Sequence, residues 1–264
     1  MLQSIDKSKL AKIRIRKNSR HAFGIEFYPR SEKDLLAEAS GPLSEGEGVK
    51  LVVTANTDHI SNLYRNKDFR AAYDSAWLVT VDGMPVYIYA KLCGVSIEER
   101  ITGADVFPKL LDALDSNHRA FFVCSNQATA KGIASQMRAR GFPDNTFGFA
   151  IPPFGFERQA ALTSDLIRAI KDNNTTHLFM GIGAPKSEVW IHQNRPSLGT
   201  LYAFCFGAAL EFTAGTKLRA PKIFRALGME WLWRLASEPK RLYRRYLVSS
   251  WGFASAVIKD LRRA

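Results

Sequence analysis

The sequence predicts an α/β fold: a mostly parallel sheet with helices on both faces, followed by a basic helical C-terminal appendage. Three observations predict it. Short β-branched and aromatic runs alternate with stretches of helical period from residue 50 to residue 206, and such alternation builds parallel sheets covered on both sides. Polar residues and glycines collect just behind the apolar runs, at Thr54, Asn56, Asp82, Gly183 and Gly207, where sheets of this kind bind ligands. Beyond Lys217 the alternation stops and Arg, Trp and Tyr interleave.

The elements follow in order. Residues 50–56 (KLVVTAN) read as a buried strand, and 59–73 as a helix with Ile60, Leu63 and Tyr64 on one face. Residues 77–81 (WLVTV) form the next strand and stop at Asp82-Gly83; 84–93 and 104–115 are helical. Strands at 119–124, 146–151, 177–182 and 201–206 alternate with helices at 127–140, 157–171 and about 185–195. In the appendage Ile223, Phe224, Leu227, Trp231 and Leu235 recur at helical spacing after Pro221, Pro239 breaks that helix, and 240–262 form a second, basic and amphipathic one.

With 264 residues, 46% hydrophobic and 23% charged, the chain is globular and long enough to bury a core without disulfides. Its net charge of +12 is unevenly placed: residues 1–20 carry +6, 217–264 carry +9 and 21–216 carry −3. The expected organisation is an N-terminal extension and start of the core over 1–48, a core over 49–216 and an appendage over 217–264. Two basic ends on a near-neutral body point to an anionic partner. Cys93, Cys124 and Cys205 show no metal or disulfide spacing, and Cys124 and Cys205 read as buried thiols. His118 and His192 read as surface residues. Neither a secretory signal nor an 18-residue apolar stretch is visible, so a cytosolic protein is expected. The apolar run 246–258 has 13 residues and suits a membrane interface rather than a span.

Several residues could carry chemistry, each beside a plainer reading. Asp82 is a carboxylate exposed at a strand end and suited to general-base work; Asp-Gly also makes turns. Thr54 and Asn56 form a polar cluster at the previous strand end, where Thr57 and Asp58 suit a helix cap. The Gly181-Ile-Gly183-Ala-Pro185-Lys186-Ser187-Glu188 run joins strand to helix, and its backbone N–H groups with Lys186 suit a phosphate; it also reads as a tight turn with Pro185 opening the helix. Arg100 lies in a charged Glu98–Gly103 loop. Arg219, Arg234, Arg241 and Arg244 sit among aromatics in the appendage, a combination that suits phosphate groups and a membrane interface.

In this order the pieces resemble the bacterial WecG/TagA/CpsF glycosyltransferase family. The resemblance rests on TANTDHI at 54–60, VDG at 81–83, ERITGAD at 99–105, Gly-x-Gly-x-Pro-Lys at 181–186, Ala-Gly at 214–215, Arg219-Ala-Pro221 and GMEWLWRLASEPKRLYRRY at 228–246. It implies an inverting hexosyltransferase that moves a sugar from a UDP-sugar donor to a polyprenyl-diphosphate-linked acceptor, in exopolysaccharide or cell-surface polysaccharide synthesis. It implies a Rossmann-like α/β core and peripheral association with the inner face of the cytoplasmic membrane. By match of position, Asp82 corresponds to the catalytic base, Thr54 and Asn56 to polar site residues, Arg100 to a cleft arginine, and Arg234, Arg241 and Arg244 to appendage arginines that reach a diphosphate. Gly183, Lys186, Glu188 and Arg219 join them as substrate-binding candidates. No cofactor and no metal are expected, since no Asp-x-Asp occurs. Two positions depart from the family pattern: Ser187 stands for Gln, and Glu211 for Asp.

Rival readings are a catalytically inactive membrane-bound adaptor of the same family, a nucleotide-binding oxidoreductase and a nucleic-acid-binding module. The last has no motif, and the basic residues lie at the termini mixed with a large apolar load, so no nucleic-acid partner is expected. A homo-oligomer stays open.

Overall fold

A computed structural model describes residues 21–226 and 228–263, without the side chains of 226, 241, 242, 244–247 and 263. Arg241 and Arg244, expected at the site, therefore lie outside the described side chains.

The described residues open with a hairpin, β1 (His21–Ala22) and β2 (Ile25–Glu26), then α1 (Glu32–Ala39). The core follows as β3 (Val49–Ala55), α2 (Thr57–Leu63), α3 (Lys67–Asp74), β4 (Leu78–Val81), α4 (Met84–Leu92), α5 (Gly103–Ala113), β5 (Ala120–Val123) and α6 (Gln127–Ala139). It continues with β6 (Phe147–Ala150), α7 (Ala160–Asp172), β7 (His177–Met180), α8 (Lys186–Leu198), β8 (Leu201–Cys205) and α9 (Ala209–Thr213). The appendage holds α10 (Lys222–Ala226), α11 (Glu230–Ser237) and α12 (Pro239–Arg263).

The six core strands form one parallel sheet in the order β4-β3-β8-β7-β5-β6. Its in-register pairing explains the aromatic content of the strands. Val52, Phe204, Phe179, Phe122 and Phe149 share one rung. Neighbouring rings stack at 5.0 Å for Phe179–Phe204, 5.2 Å for Phe122–Phe179 and 5.3 Å for Phe122–Phe149. Each strand is buried on both faces, so its sequence runs apolar throughout instead of alternating. One face is covered by α2, α3, α4, α7, α8 and the hairpin. The other is covered by α1, α5, α6 and α9.

Three expectations change. The helix expected over 59–73 is two, because Asn66 caps α3 with a side chain that accepts from Phe69 N at 3.0 Å. The first appendage helix is likewise two, α10 and α11, separated at Gly228, whose φ of +70° is left-handed. Within 21–48, the stretch expected to hold the start of the core, Phe23, Phe27 and Leu35 are fully buried. His118 and His192 are half-buried rather than on the surface; His192 Nδ1 lies 2.8 Å from Ser75 Oγ and His118 Nε2 lies 3.2 Å from the Ser40 carbonyl. Cys124 and Cys205 are buried thiols as expected, and Cys93 is half-buried.

Candidate active site

The candidate residues gather where the strands end. Asp82 follows β4, and its backbone N–H donates to the Ala55 carbonyl of β3 at 2.9 Å, with that of Gly83 beside it at 3.1 Å. This ties Asp82 to the first residues of α2. A Cβ at Gly83 would lie 3.0 Å from Asn56 Cα, so Asn56 and the Asp-Gly pair are in direct contact. Thr54 pairs in register with Thr80, two residues before Asp82, and is buried.

Asn56, not Thr57 or Asp58, is the helix cap. Its Oδ1 accepts from the N–H groups of Asp58 at 3.0 Å and His59 at 3.1 Å. The cap fixes the amide next to Asp82, so capping and a place in the site are one arrangement.

Arg100 steadies the aspartate. Its Nη1 donates to the Asp82 carbonyl at 2.6 Å and lies 3.9 Å from the carboxylate. The appendage supplies a second cation. Arg234 on α11 is held by Glu230, one turn earlier, with Nη2 donating at 2.7 Å and Nε at 3.1 Å, and its guanidinium lies 4.9 Å from the Phe212 ring. Both charges bear on Asp82. Protein crowded around the carboxyl pushes its pKa up to about 6, Arg234 and Arg100 pull it back, and Glu230 and Asp105 add to the rise. The side chain nevertheless keeps 36% of its surface open. A carboxylate beside Arg100 and in the field of Arg234, near neutrality and still accessible, can take a proton from a bound hydroxyl.

Beyond β7, the Gly181–Lys186 loop packs tightly. A Cβ at Gly181 would stand 2.8 Å from Leu210, whereas one at Gly183, with φ +82°, would meet nothing within 4 Å. Gly183 therefore leaves open space over the strand ends. Lys186 begins α8, 3.9 Å from Glu157 and 4.0 Å from the centre of the highly exposed Phe154 ring. Pro185, expected as the first helical residue, lies one position earlier, at the cap.

Two candidates sit elsewhere than on the cleft surface. Glu188 is buried, with Oε2 lacking a hydrogen-bond partner, and burial pushes its pKa up to about 8. At neutral pH it keeps its proton and faces the protein interior. Arg219 grips α5: Nη1 donates to the Ala104 carbonyl at 3.0 Å and pairs with Asp105 at 2.8 Å. Arg225 joins the same carboxylate at 3.5 Å. The Nε of each arginine is buried without an acceptor. The departures also have structural partners. Ser187 donates to the Gly183 carbonyl at 3.3 Å, and Glu211 pairs with Lys217 at 3.0 Å, which also reaches Glu238 at 3.4 Å.

Sequence reasoning missed Glu230 and Asp105 as partners, though Glu230 lies four residues before Arg234, the spacing of a helical ion pair. It also missed a buried pair, His59 Nδ1 and Tyr73 Oη at 2.6 Å, beneath the start of α2. Among the described residues no group of acidic, His and Cys side chains could hold a metal ion.

The chain is 28% identical over 222 residues to an N-acetylglucosaminyldiphosphoundecaprenol N-acetyl-beta-D-mannosaminyltransferase of Bacillus spizizenii, which covers 83% of this chain and 82% of the relative. It is 25% identical over 193 residues to a Staphylococcus aureus protein of the same name, covering 73% of this chain and 74% of the relative. The model of the glycosyl transferase WecG/TagA/CpsF family matches residues 20–264, from hairpin to final helix. The chain with this cleft, core and appendage together, thus belongs to the WecG/TagA/CpsF family of glycosyltransferases.

Proposed function

We propose that the protein transfers a sugar from a UDP-sugar to a polyprenyl-diphosphate-linked saccharide, with inversion, and that Asp82 is the general base. The observation that carries this reading is the open Asp82 carboxyl at the strand end with Arg100 beside it and the charge of Arg234 of the appendage acting on it. The named relatives act on diphosphoundecaprenol-linked N-acetylglucosamine, so an acceptor of that class is the natural first choice.

The reaction is a single displacement. An acceptor hydroxyl oxygen attacks the anomeric carbon while its proton passes to Asp82. The bond from that carbon to the phosphate oxygen breaks, and UDP leaves with the electron pair. Lys186 and the N-terminal end of α8 face the negative charge that develops, and the open space over Gly183 lets the phosphates approach. Asn56 presents its amide beside the base, and Thr54 lies below it. Arg100 and Arg234 supply positive charge for a second diphosphate, that of the acceptor, and Arg219, paired with Asp105, holds the start of α5 beside them. Arg241 and Arg244 belong to the same proposal through their place in the appendage. The enzyme would work at the cytoplasmic face of the inner membrane, held there by α12 and its basic residues.

UDP release tests the reading. The full chain, in detergent, is given a panel of UDP-sugars with and without undecaprenyl-diphosphate-linked N-acetylglucosamine. Acceptor-dependent release with one donor is expected, and Asp82→Asn should lower kcat by about 10²–10⁴-fold. Release that survives the substitution would remove Asp82 from the role. Absence of release with any donor would favour the adaptor reading.

A further inference from the structure

Resting on that acceptor class, we propose that the groove between α4 and the α10–α11 connection is a subsite for the acceptor's lipid, taking the isoprene units next to the diphosphate. A cavity of about 400 Å³ opens there, lined by Met84, Pro85, Ile88, Leu92, Met229 and Trp231. Its size falls within the range of small-ligand sites, and none of these side chains is charged. Ile88 and Leu92 stand one turn apart on α4 and are 52% and 69% exposed, so an apolar strip leads from the groove to the surface. Large apolar side chains left open in one patch mark a binding surface more often than chance exposure.

The position of the groove selects the occupant. One wall begins at Met84, two residues after Asp82. The other contains Met229 and Trp231, and the same helix, α11, carries Glu230 and Arg234. The walls are pressed together at Gly228, where a Cβ would come within 2.6 Å of Met84. Hydrocarbon thus lines the groove, and its two walls lead in the chain to Asp82 with its Arg100 and to Arg234 of α11. A branched hydrocarbon chain ending in a diphosphate matches both. A nucleotide does not, because its base and ribose would lose water without gaining partners among these side chains.

The experiment compares two acceptors in detergent: N-acetylglucosamine diphosphate carrying undecaprenol, and the same headgroup carrying a methyl group. The variant Ile88→Glu/Leu92→Glu alters exposed positions, and Ile88→Met/Leu92→Met is its conservative counterpart. For the Glu variant the ratio of kcat/KM values, long acceptor over short, should fall about tenfold; the Met variant should keep the wild-type ratio. A photoreactive farnesyl diphosphate analogue should cross-link to the 84–92 and 229–231 segments whether or not turnover is observed. An equal loss with both acceptors, an unchanged ratio, or cross-links confined elsewhere would overturn the subsite. A parallel loss of binding to anionic vesicles would reassign the strip to general membrane contact and also overturn it. If the wild type turned over neither acceptor, the transfer reading would fail, and the cross-linking would still decide the groove.

Discussion

Two carboxyls near the strand ends illustrate how position decides chemistry. Asp82 and Glu188 are both pushed up by burial, to about 6 and about 8. Glu188 is closed off and protonated at neutral pH, so it cannot accept a proton. Asp82 is open and mostly ionised there. In the proposed base role, Asp82 takes up a proton as pH falls through about 6 and can no longer accept one, so kcat/KM should fall on the acid side with a limb near that value. Arg234→Gln removes the strongest opposing cation and releases Glu230, which raises the pKa further. Both changes have the same sign, so the limb should move up by about one unit. A pH–rate profile checks this. A purely structural role for Arg234 would lower the rate at every pH and leave the limb in place. At this scale the sequence was informative about Asp82, because a carboxylate and glycine behind an apolar strand are visible as letters. Asn56 was harder: its cap depends on where α2 starts, and Thr57 and Asp58 suit the same task. The burial of Glu188 depends on packing between distant elements and leaves no local trace.

The elements show the same division. The core strands were legible because a parallel strand buried on both faces reads as a short apolar run, and the Phe rung confirms it. The breaks at Asn66 and Gly228 were not, since helical spacing of apolar residues continues across both. The final helix is the most instructive. Its hydrophobicity points to Val248, Trp251 and Ile258, yet these are exposed, by 47%, 77% and 51%. The face docked on the core is small: Ser249 and Ala256 are buried, and a Cβ at Gly252 would lie 1.8 Å from Ser61 Oγ on α2. Close approach of two helices needs small residues, and hydropathy does not register that need. Tyr89 then pins the far end through a 2.9 Å bond to Asp260. Gly252→Leu should push α12 off α2 at a cost of about 1–3 kcal/mol. Thermal denaturation should show the loss, and trypsin should cut the 217–264 segment faster than in the wild type. Unchanged melting and cleavage would mean that the contact carries little of the docking.

At the scale of the molecule, charge and apolar surface are segregated together. The body from 21 to 216 carries −3, whereas 217–264 carry +9. The appendage also exposes Trp251, Tyr243, Ile258 and Leu261. Among the described residues no helix is long and apolar enough to cross a membrane. The docked small face of α12 leaves the Trp251 side available, so attachment to the core and contact with lipid need not compete. Two forces should then hold the protein on an anionic bilayer, with different responses to salt. Basic residues near the surface contribute about 1 kcal/mol each at low ionic strength, and the Debye length shrinks from about 10 Å at 0.1 M to about 3 Å at 1 M. Insertion of Trp251 and its neighbours is insensitive to that screening. Sedimentation with vesicles of phosphatidylglycerol and phosphatidylethanolamine should therefore show binding that weakens steeply between 0.1 and 1 M salt (about tenfold or more) but does not vanish. Trp251→Ala should remove much of the salt-resistant remainder and leave the slope against salt intact. Binding with no salt dependence would rule out the electrostatic part, and a variant indistinguishable from wild type in high salt would show that the exposed indole does not enter the bilayer.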